Sequence, residues 1–217
     1  MNELHLKQLT NKQPFCAGVI LRDVEGIVVT LNPDGMPPDV ENTAWRVGGV
    51  GGGQEPNESI WACALREAHE ELSVAAELIH SPTTFFHDLD SGEISPVSVV
   101  DDLAPLLFER KTNPTPHQPY RPGLPTGPYI YFATFLAKVA HLEDIYPGDD
   151  VQALMVLPPT RWGDIEKGVT LQAMIDAGIR VICREGVDTQ RRLWAPENES
   201  SATVMKLLQA HPSLFER

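Results

Sequence analysis

The chain has 217 residues, of which 42% are hydrophobic and 22% are charged. This composition is typical of a folded globular protein and excludes a chain that is disordered throughout. Its 30 acidic residues outnumber 17 basic ones and give a formal net charge of −13, which repels phosphate backbones. We therefore do not expect binding to a nucleic acid polymer as the main role.

The cysteine and hydropathy patterns indicate neither a disulfide framework nor a membrane segment. Cys16, Cys63 and Cys183 are odd in number, far apart and not arranged in CxxC pairs. Residues 1–13 are polar and lack the apolar core of a secretory signal. No apolar run approaches the ~18 residues needed to cross a bilayer. We expect a soluble cytoplasmic protein without a membrane partner.

Strand-like and helix-like patterns alternate along the chain. Strands are predicted at residues 15–21, 26–31, 45–47, 74–79, 97–100, 103–108, 129–140, 151–157 and 179–183. Helices are predicted at residues 59–72, 160–166, 171–177 and 201–210. The alternation predicts an α/β (α+β) fold in a single domain, residues 1–217.

A proline-rich insert interrupts this pattern at about residues 111–128. Its six prolines exclude a regular element and predict a long surface loop or lid. Within it, Tyr120 is able to stack on a base, whereas we expect Arg121 to be ordinary surface.

The clearest helix, residues 59–72, places three carboxylates on one face. Glu67, Glu70 and Glu71 are spaced i, i+3 and i+4, and each like-charged pair costs about 0.2–0.5 kcal/mol. A hard divalent cation such as Mg²⁺ or Mn²⁺, which prefers carboxylate oxygen, would offset that cost. The alternative is a solvated acidic face. The helix also has an apolar stripe that we expect to be buried: Trp61, Leu65, Ala68 and Leu72.

Five glycines lie between residues 48 and 53, directly before this helix. Such a run either lets the backbone approach a ligand closely or forms a flexible turn. It is not a Walker A loop, since no Gly-Lys-Ser/Thr follows. Nor is it G-x-G-x-x-G, because Gln54 stands where the last glycine would fall.

The segment from Gly52 to Val74 resembles the Nudix box, G-x5-E-x7-R-E-U-x-E-E-x-G-U, where U is a bulky aliphatic residue. Six of the seven fixed positions match, and so does the final aliphatic residue. The matching positions are Gly52, Glu58, Arg66, Glu67, Glu70, Glu71 and Val74. Ser73 replaces the glycine that ends the helix. Because a left-handed residue other than glycine costs about 1 kcal/mol, we expect a different geometry there.

The resemblance implies a Nudix-type α/β/α sandwich with a mixed central sheet and the box as a loop-helix-loop. Residues 167–217 would then be a C-terminal extension. The implied activity is a Mg²⁺/Mn²⁺-dependent pyrophosphohydrolase. It would cleave the diphosphate linkage of a nucleoside diphosphate joined to another moiety, by attack of a metal-activated water on phosphorus.

The resemblance also implies roles for the box residues. Glu70 and Glu71 would be metal ligands and Glu70 catalytic. Glu67 would ligate metal and take the proton of the attacking water. Arg66 would hold the glutamates in place.

Further residues are candidates for the same site. The resemblance implies that Glu58 supports the metal shell and that the backbone carbonyl of Gly51 is a ligand. Arg46, just before the glycines, is a candidate for substrate phosphate. Asp149 and Asp150 are candidates for an additional base or ligand, with a solvated acidic loop as the alternative.

Two other functions stay open beside the hydrolase. One is a catalytically silent nucleotide-binding module, and the other is a non-hydrolytic enzyme on the same fold, such as isopentenyl diphosphate isomerase. The expected partner is a small nucleotide-like diphosphate. The sequence leaves open the identity of that substrate and whether the chain forms a homodimer.

Overall fold

The computed structural model describes residues 3–214, which form thirteen strands and five α-helices. Residues 1–2 and 215–217 of the predicted domain lie outside the described residues. The strands are Glu3–Leu4 (β1), Phe15–Leu21 (β2), Ile27–Asn32 (β3), Ala44–Gly48 (β4), Val50–Gly53 (β5), Ala76–Ile79 (β6), Thr84–Asp88 (β7), Glu93–Val99 (β8), Leu107–Thr112 (β9), Tyr129–Val139 (β10), Ala153–Leu157 (β11), Val181–Cys183 (β12) and Arg192–Trp194 (β13). The α-helices are Leu6–Leu9 (α1), Ile60–Leu72 (α2), Trp162–Glu166 (α3), Leu171–Asp176 (α4) and Ser200–Ala210 (α5).

The predicted mixed α+β class is confirmed. The strands form two mixed sheets. None of the helices within residues 3–214 is long and apolar enough to cross a membrane. The chain divides into two compact units, and helix α2 contributes residues to both. The assignment of all residues to one domain stays a prediction.

The first unit comprises the residues up to Ile20 together with Gly51–Ala68 and Ala75–Lys138. Its eight-stranded sheet has the order β1-β8-β7-β9-β10-β2-β5, with β6 paired to β10. The β1–β8 and β7–β9 pairs are parallel, whereas β7–β8 and β9–β10 are antiparallel. The ring of Phe108 is fully buried and stacks on Tyr131 at 5.3 Å between centroids, which joins β9 to β10 across the sheet.

The second unit comprises Leu21–Val50, His69–Val74 and the chain from Val139 onward. Its five-stranded sheet has the order β12-β11-β3-β4-β13, in which the β4–β13 pair is parallel and the other three pairs are antiparallel. Strand β11 is buried at every position, as expected for an apolar run between two partner strands. Six of the eleven residues of helix α5 are buried, among them Val204 and Leu208.

Predicted and observed elements agree where the apolar pattern is long. Strand β2 has the predicted bounds, β10 and α2 differ from prediction by one residue at one end, and β3 is shifted by one residue at both ends. The predicted strand at 103–108 is wrong over its first four residues, since β9 begins at Leu107. Pro105 has no N–H to donate, so regular pairing starts after it. The sequence prediction lacks the short or glycine-rich elements β1, α1, β5, β7 and β13.

Helix α2 buries only part of the predicted stripe, namely Ala68 and Leu72. Its start is capped by Ser59, whose hydroxyl accepts from the N–H of Ala62 at 3.2 Å. Leu65 is 37% exposed, so its predicted burial is wrong, and Trp61 is half-buried. The buried positions are Ile60, Cys63, Ala64, Ala68 and Leu72. This face leaves Glu67, Glu70 and Glu71 half-buried.

The end of helix α2 keeps the left-handed geometry that glycine normally supplies. Ser73 has φ +58°, and its N–H donates to the carbonyl of His69 at 3.0 Å. The expectation that serine changes this geometry is therefore wrong. The backbone around it is fixed by further bonds, so the residue accepts the strain instead of moving the chain.

Replacing this serine should relieve the strain. We expect Ser73→Gly to raise the free energy of unfolding by about 1 kcal/mol, because glycine adopts positive φ without a Cβ clash. Urea denaturation measures the change as a shift of the midpoint. The matched control is Ser73→Ala, which keeps the Cβ and should gain nothing. Equal midpoints for the two variants would contradict the strain at this position.

Candidate active site

Strand β5 places the glycine run directly beside strand β2. Gly51 has φ +153°, and a Cβ there would lie 2.5 Å from the Cα of Gly18. Gln54 ends the run with a 7% exposed side chain whose Oε1 accepts from the N–H of Phe15 at 2.6 Å. The run is therefore a paired strand in close backbone contact, and the alternative of a flexible turn is wrong.

Gly52, the first residue of the box, leaves the space in which the carboxylate of Glu67 lies. A Cβ built on Gly52 would lie 2.5 Å from Glu67 Oε2 and 2.6 Å from its carboxyl carbon. Any other residue at Gly52 would push the carboxylate away. By contrast, a Cβ on Gly53 meets nothing within 4 Å. Neither of these two glycines has a positive φ, so the requirement at Gly52 is one of space.

Arg66 connects Glu67 to the loop before the helix. Its guanidinium donates to both carboxylate oxygens of Glu58, from Nε at 2.9 Å and from Nη2 at 3.0 Å. Nη1 donates to Glu67 Oε1 at 2.7 Å, and Nη2 also donates to the carbonyl of Gly53 at 2.9 Å. The side chains of Arg66, Glu58 and Glu67 are 21%, 11% and 13% exposed. Charge-assisted bonds of this kind, shielded from water, fix the position of both carboxylates.

The same contacts keep Glu58 charged. Partial burial acts to raise the pKa of its carboxyl, but hydrogen bonds from Arg66 and from the N–H of Glu55 outweigh burial and hold the pKa below its usual range. Around it the thiols stay neutral. Burial, helped by the charge of Glu67, raises the pKa of Cys16 to about 11, and burial likewise raises the pKa of Cys63.

The last turn of α2 carries Glu70 and Glu71 and is held by a segment of the second unit. The N–H of Gly148 donates to the carbonyl of Glu71 at 3.0 Å, and the N–H of Tyr146 donates to the carbonyl of Leu72 at 3.0 Å. A Cβ on Gly148 would lie 1.9 Å from the carbonyl oxygen of Glu70. These bonds satisfy helix-end carbonyls that otherwise lack partners.

Asp149 and Asp150 follow Gly148 and are both exposed. Asp149 has φ +42°, an unusual backbone for a residue other than glycine. The chain therefore leaves the helix end at these two acids. Their role as base or ligand stays a prediction.

Arg46 lies on β4 and is bound to another side chain. Its Nη2 donates to Glu199 Oε2 at 2.8 Å, at the start of helix α5 in the same unit. A phosphate at Arg46 would have to compete with this carboxylate. Its predicted role in substrate binding remains untested.

A ready-made metal cluster is not present in the part of the chain that the structure describes. Within residues 3–214, no group of three or more His, Cys, Asp or Glu side chains is placed to hold an ion. What the structure brings together is Glu58, Arg66 and Glu67. Glu70 and Glu71 follow on the same helix at the predicted spacing.

Two glycines, Gly148 and Gly52, have positioning roles that the sequence analysis missed. Gly148 stands outside the motif and looks like an ordinary loop glycine. The special need at Gly52 is hidden among five neighbouring glycines. In both cases the requirement comes from a tertiary contact, and the only signal in the sequence is glycine itself.

Comparison with known proteins gives one extended match. A family model described as the NUDIX domain matches residues 12–123, just over half of the chain. No curated protein matches the chain.

Three solved structures are similar in part. A NUDIX hydrolase from Nitrosomonas europaea is 13% identical with a TM-score of 0.39, covering 68% of this chain and 58% of that one. This chain thus spans less than two thirds of that relative's length. A NUDIX-family hydrolase from Clostridium perfringens is 14% identical with a TM-score of 0.44, covering 91% and 99%. An Ap4A hydrolase from C. elegans, in a binary complex, is 12% identical with a TM-score of 0.42, covering 92% and 98%. These likenesses carry no argument about substrate.

The contact at Gly148 predicts a large effect of a single methyl group. We expect Gly148→Ala to lower the free energy of unfolding by about 2 kcal/mol or more, because its Cβ collides with the carbonyl of Glu70. Urea denaturation followed by circular dichroism measures it. The matched control is Gly163→Ala, since a Cβ there meets nothing within 4 Å. A loss no larger than that of the control would show that the segment does not rest on the helix end.

Proposed function

Since the chain belongs to the NUDIX domain family, we propose that it is a pyrophosphohydrolase that uses Mg²⁺ or Mn²⁺. Its substrate is proposed to be a nucleoside diphosphate linked to another moiety, cleaved at the diphosphate by attack of water on phosphorus. The observation that carries this proposal is the fixed position of Glu67. That carboxylate rests against Gly52 and is held by Arg66, which also binds Glu58.

Fixed carboxylates favour catalysis over surface solvation. A solvated acidic face gains nothing from the space at Gly52 and a shielded guanidinium. A reacting carboxylate benefits from both, because its orientation must be set before substrate arrives and reorganisation during the reaction is costly. In this proposal Glu67 takes the proton of the attacking water, and Arg66 and Glu58 hold Glu67 in place.

The donor set fits a hard divalent cation. Glu67, Glu70 and Glu71 offer carboxylate oxygens along one helix, and the space at Gly52 lets one of them lie against the backbone. We propose these three as ligands, with the carbonyl of Gly51 as a fourth. When bound, such a cation neutralises charge on the diphosphate and lowers the pKa of bound water. The chemistry of these oxygens supports the metal, although within residues 3–214 no group of three such side chains is placed to hold an ion.

Other elements of the proposal follow from the sequence. Asp149 or Asp150 would supply an additional carboxylate at the end of α2, and Arg46 would meet a phosphate by exchanging Glu199 for it. A cytoplasmic location and the absence of a membrane partner are kept as predictions. A catalytically silent nucleotide-binding module is the outcome to expect if no turnover is found.

Removing one ligand charge should abolish turnover. We expect Glu70→Gln to lower metal-dependent release of phosphate-bearing product by roughly 100-fold or more while the urea midpoint stays close to wild type. The assay offers nucleoside triphosphates, ADP-sugars, NADH, CoA and dinucleoside polyphosphates with Mg²⁺. The first substrate turned over by the wild type is then used for all variants.

The control for this variant is Glu93→Gln, which removes an exposed glutamate on β8. It should leave turnover unchanged. Full turnover by Glu70→Gln would refute the ligand assignment. If the wild type turns over none of these compounds in the presence of Mg²⁺ or Mn²⁺, the hydrolase proposal fails.

The space at Gly52 provides an independent test. We expect Gly52→Ala to lower kcat by roughly tenfold or more, because the new Cβ displaces the Glu67 carboxylate. Gly53→Ala, one residue away, adds a methyl group into open space and should stay near wild type. Steady-state kinetics on the substrate found above gives kcat and KM for both. Equal kcat values would mean that the position of Glu67 does not matter for the reaction.

A further inference from the structure

The proline-rich insert is fixed at its neck. Residues 113–128 connect β9 to β10, and Asn113, only 6% exposed, ties the two ends together. Its N–H donates to the carbonyl of Pro128 at 2.8 Å, and its side-chain amide donates to the carbonyl of Gly127 at 2.8 Å. The insert therefore leaves the sheet as a closed loop with a defined base.

The loop above the neck is also restrained. The side chain of Asn113 accepts from the N–H of Thr115 at 3.0 Å, and the N–H of Gln118 donates to the carbonyl of Thr115 at 3.0 Å. A second turn is closed by the N–H of Leu124 and the carbonyl of Arg121 at 3.2 Å. Prolines fix φ between these bonds, which lowers the entropy lost when the loop binds something.

The second half of the insert lies against the loop that carries Glu58. Gly123 has φ +85°, and a Cβ built on it would be 3.7 Å from the ring of Pro56. Pro56 is two residues before Glu58 in the same unit. Arg121 is two residues before Gly123. Arg121 is thus close in sequence to the point at which the insert contacts the loop of Glu58.

The tip of the insert presents an aromatic ring beside a cation. Tyr120 is 83% exposed, so it contributes little to any core. The guanidinium of Arg121 lies 5.6 Å from the centre of that ring, within range of a cation–π contact. In a chain with 30 acidic residues, the 16 residues of the insert contain none. A positive, aromatic surface here suits an anionic ligand with a flat ring.

We propose that Tyr120 and Arg121 recognise the nucleotide part of the substrate. Tyr120 stacks on the base, and Arg121 meets a phosphate oxygen. This rests on the proposed function for the reaction, but it assigns a specificity role to an insert that lies outside the box. The sequence expectation that Arg121 is ordinary surface is replaced by this role.

The test measures binding without turnover. Isothermal titration calorimetry with Mg²⁺ compares α,β-methylene-ADP, which has a base, with methylenediphosphonate, which has none. We expect Tyr120→Ala to weaken binding of α,β-methylene-ADP by roughly 5- to 150-fold and to leave methylenediphosphonate unchanged. Tyr120→Phe keeps the ring and should stay within about twofold of wild type.

The charge is tested in the same way. Arg121→Gln should weaken both probes by about two- to fivefold, since an exposed charge contributes modestly. Arg192→Gln, at an exposed arginine on β13, is the matched control and should change neither probe. Urea midpoints close to wild type for all variants would show that binding alone has changed.

The outcomes separate this inference from the hydrolase proposal. Loss of α,β-methylene-ADP binding in Tyr120→Ala supports the inference even if no substrate is turned over. Equal affinity of wild type and Tyr120→Ala overturns it, even if Glu70→Gln abolishes turnover. Failure of the wild type to bind α,β-methylene-ADP, or equal weakening of both probes by Tyr120→Ala, also overturns it.

Discussion

The guanidinium of Arg66 is the constraint on which the organisation around Glu67 depends. Its donors hold Glu58, Glu67 and the carbonyl of Gly53, so one side chain joins the loop before α2, the helix and strand β5. The carboxylates of Glu58 and Glu67 would repel each other if the guanidinium of Arg66 were lost. Removing one partner of a shielded charge network leaves the others uncompensated, which is far costlier than losing a surface pair. The position of the loop that carries Glu58 therefore follows from the need to pair its carboxylate with Arg66 inside the first unit.

Close backbone contacts set where these charges can stand. Gly52 leaves room for a carboxylate, and Gly148 leaves room for a helix carbonyl. In both cases the added Cβ would collide with an atom that belongs to helix α2. The strained φ of Ser73 is tolerated beside the second contact because the bonds from Tyr146 and Gly148 fix the backbone of the two residues directly before it. Helix α2 is thus positioned by the absence of side chains as much as by their presence.

The limits of sequence reasoning follow from the same physics. Strand β2 was predictable because its apolar run is long, and the carboxylate spacing was predictable because helix geometry alone fixes it. Strand β5 was not, since four residues with three glycines have no strand propensity and the pairing with β2 creates it. The exposure of Leu65 was missed because periodicity gives the width of an apolar face but not which neighbours cover it. The Arg66 contacts with Glu58 and Glu67 become visible only when loop and helix are placed in three dimensions.

The acidic residues of the chain are distributed unevenly, and this distribution bears on the proposed reaction. The acidic excess repels phosphate at a distance, yet the box residues concentrate carboxylates where a divalent cation has reason to bind. In the proposed reaction, a diphosphate would then meet a surface whose charge the cation has neutralised. The insert adds the opposite sign, since it has an arginine and no acid, and its contact with Pro56 places it beside the loop of Glu58. In the proposed function, a cation held by the helix would bind the diphosphate, and the aromatic, positively charged loop would bind the base of the same molecule. The cation alone would not select a nucleotide over inorganic diphosphate, because selection needs a favourable contact that the smaller anion cannot make, and the loop would supply that contact to the base.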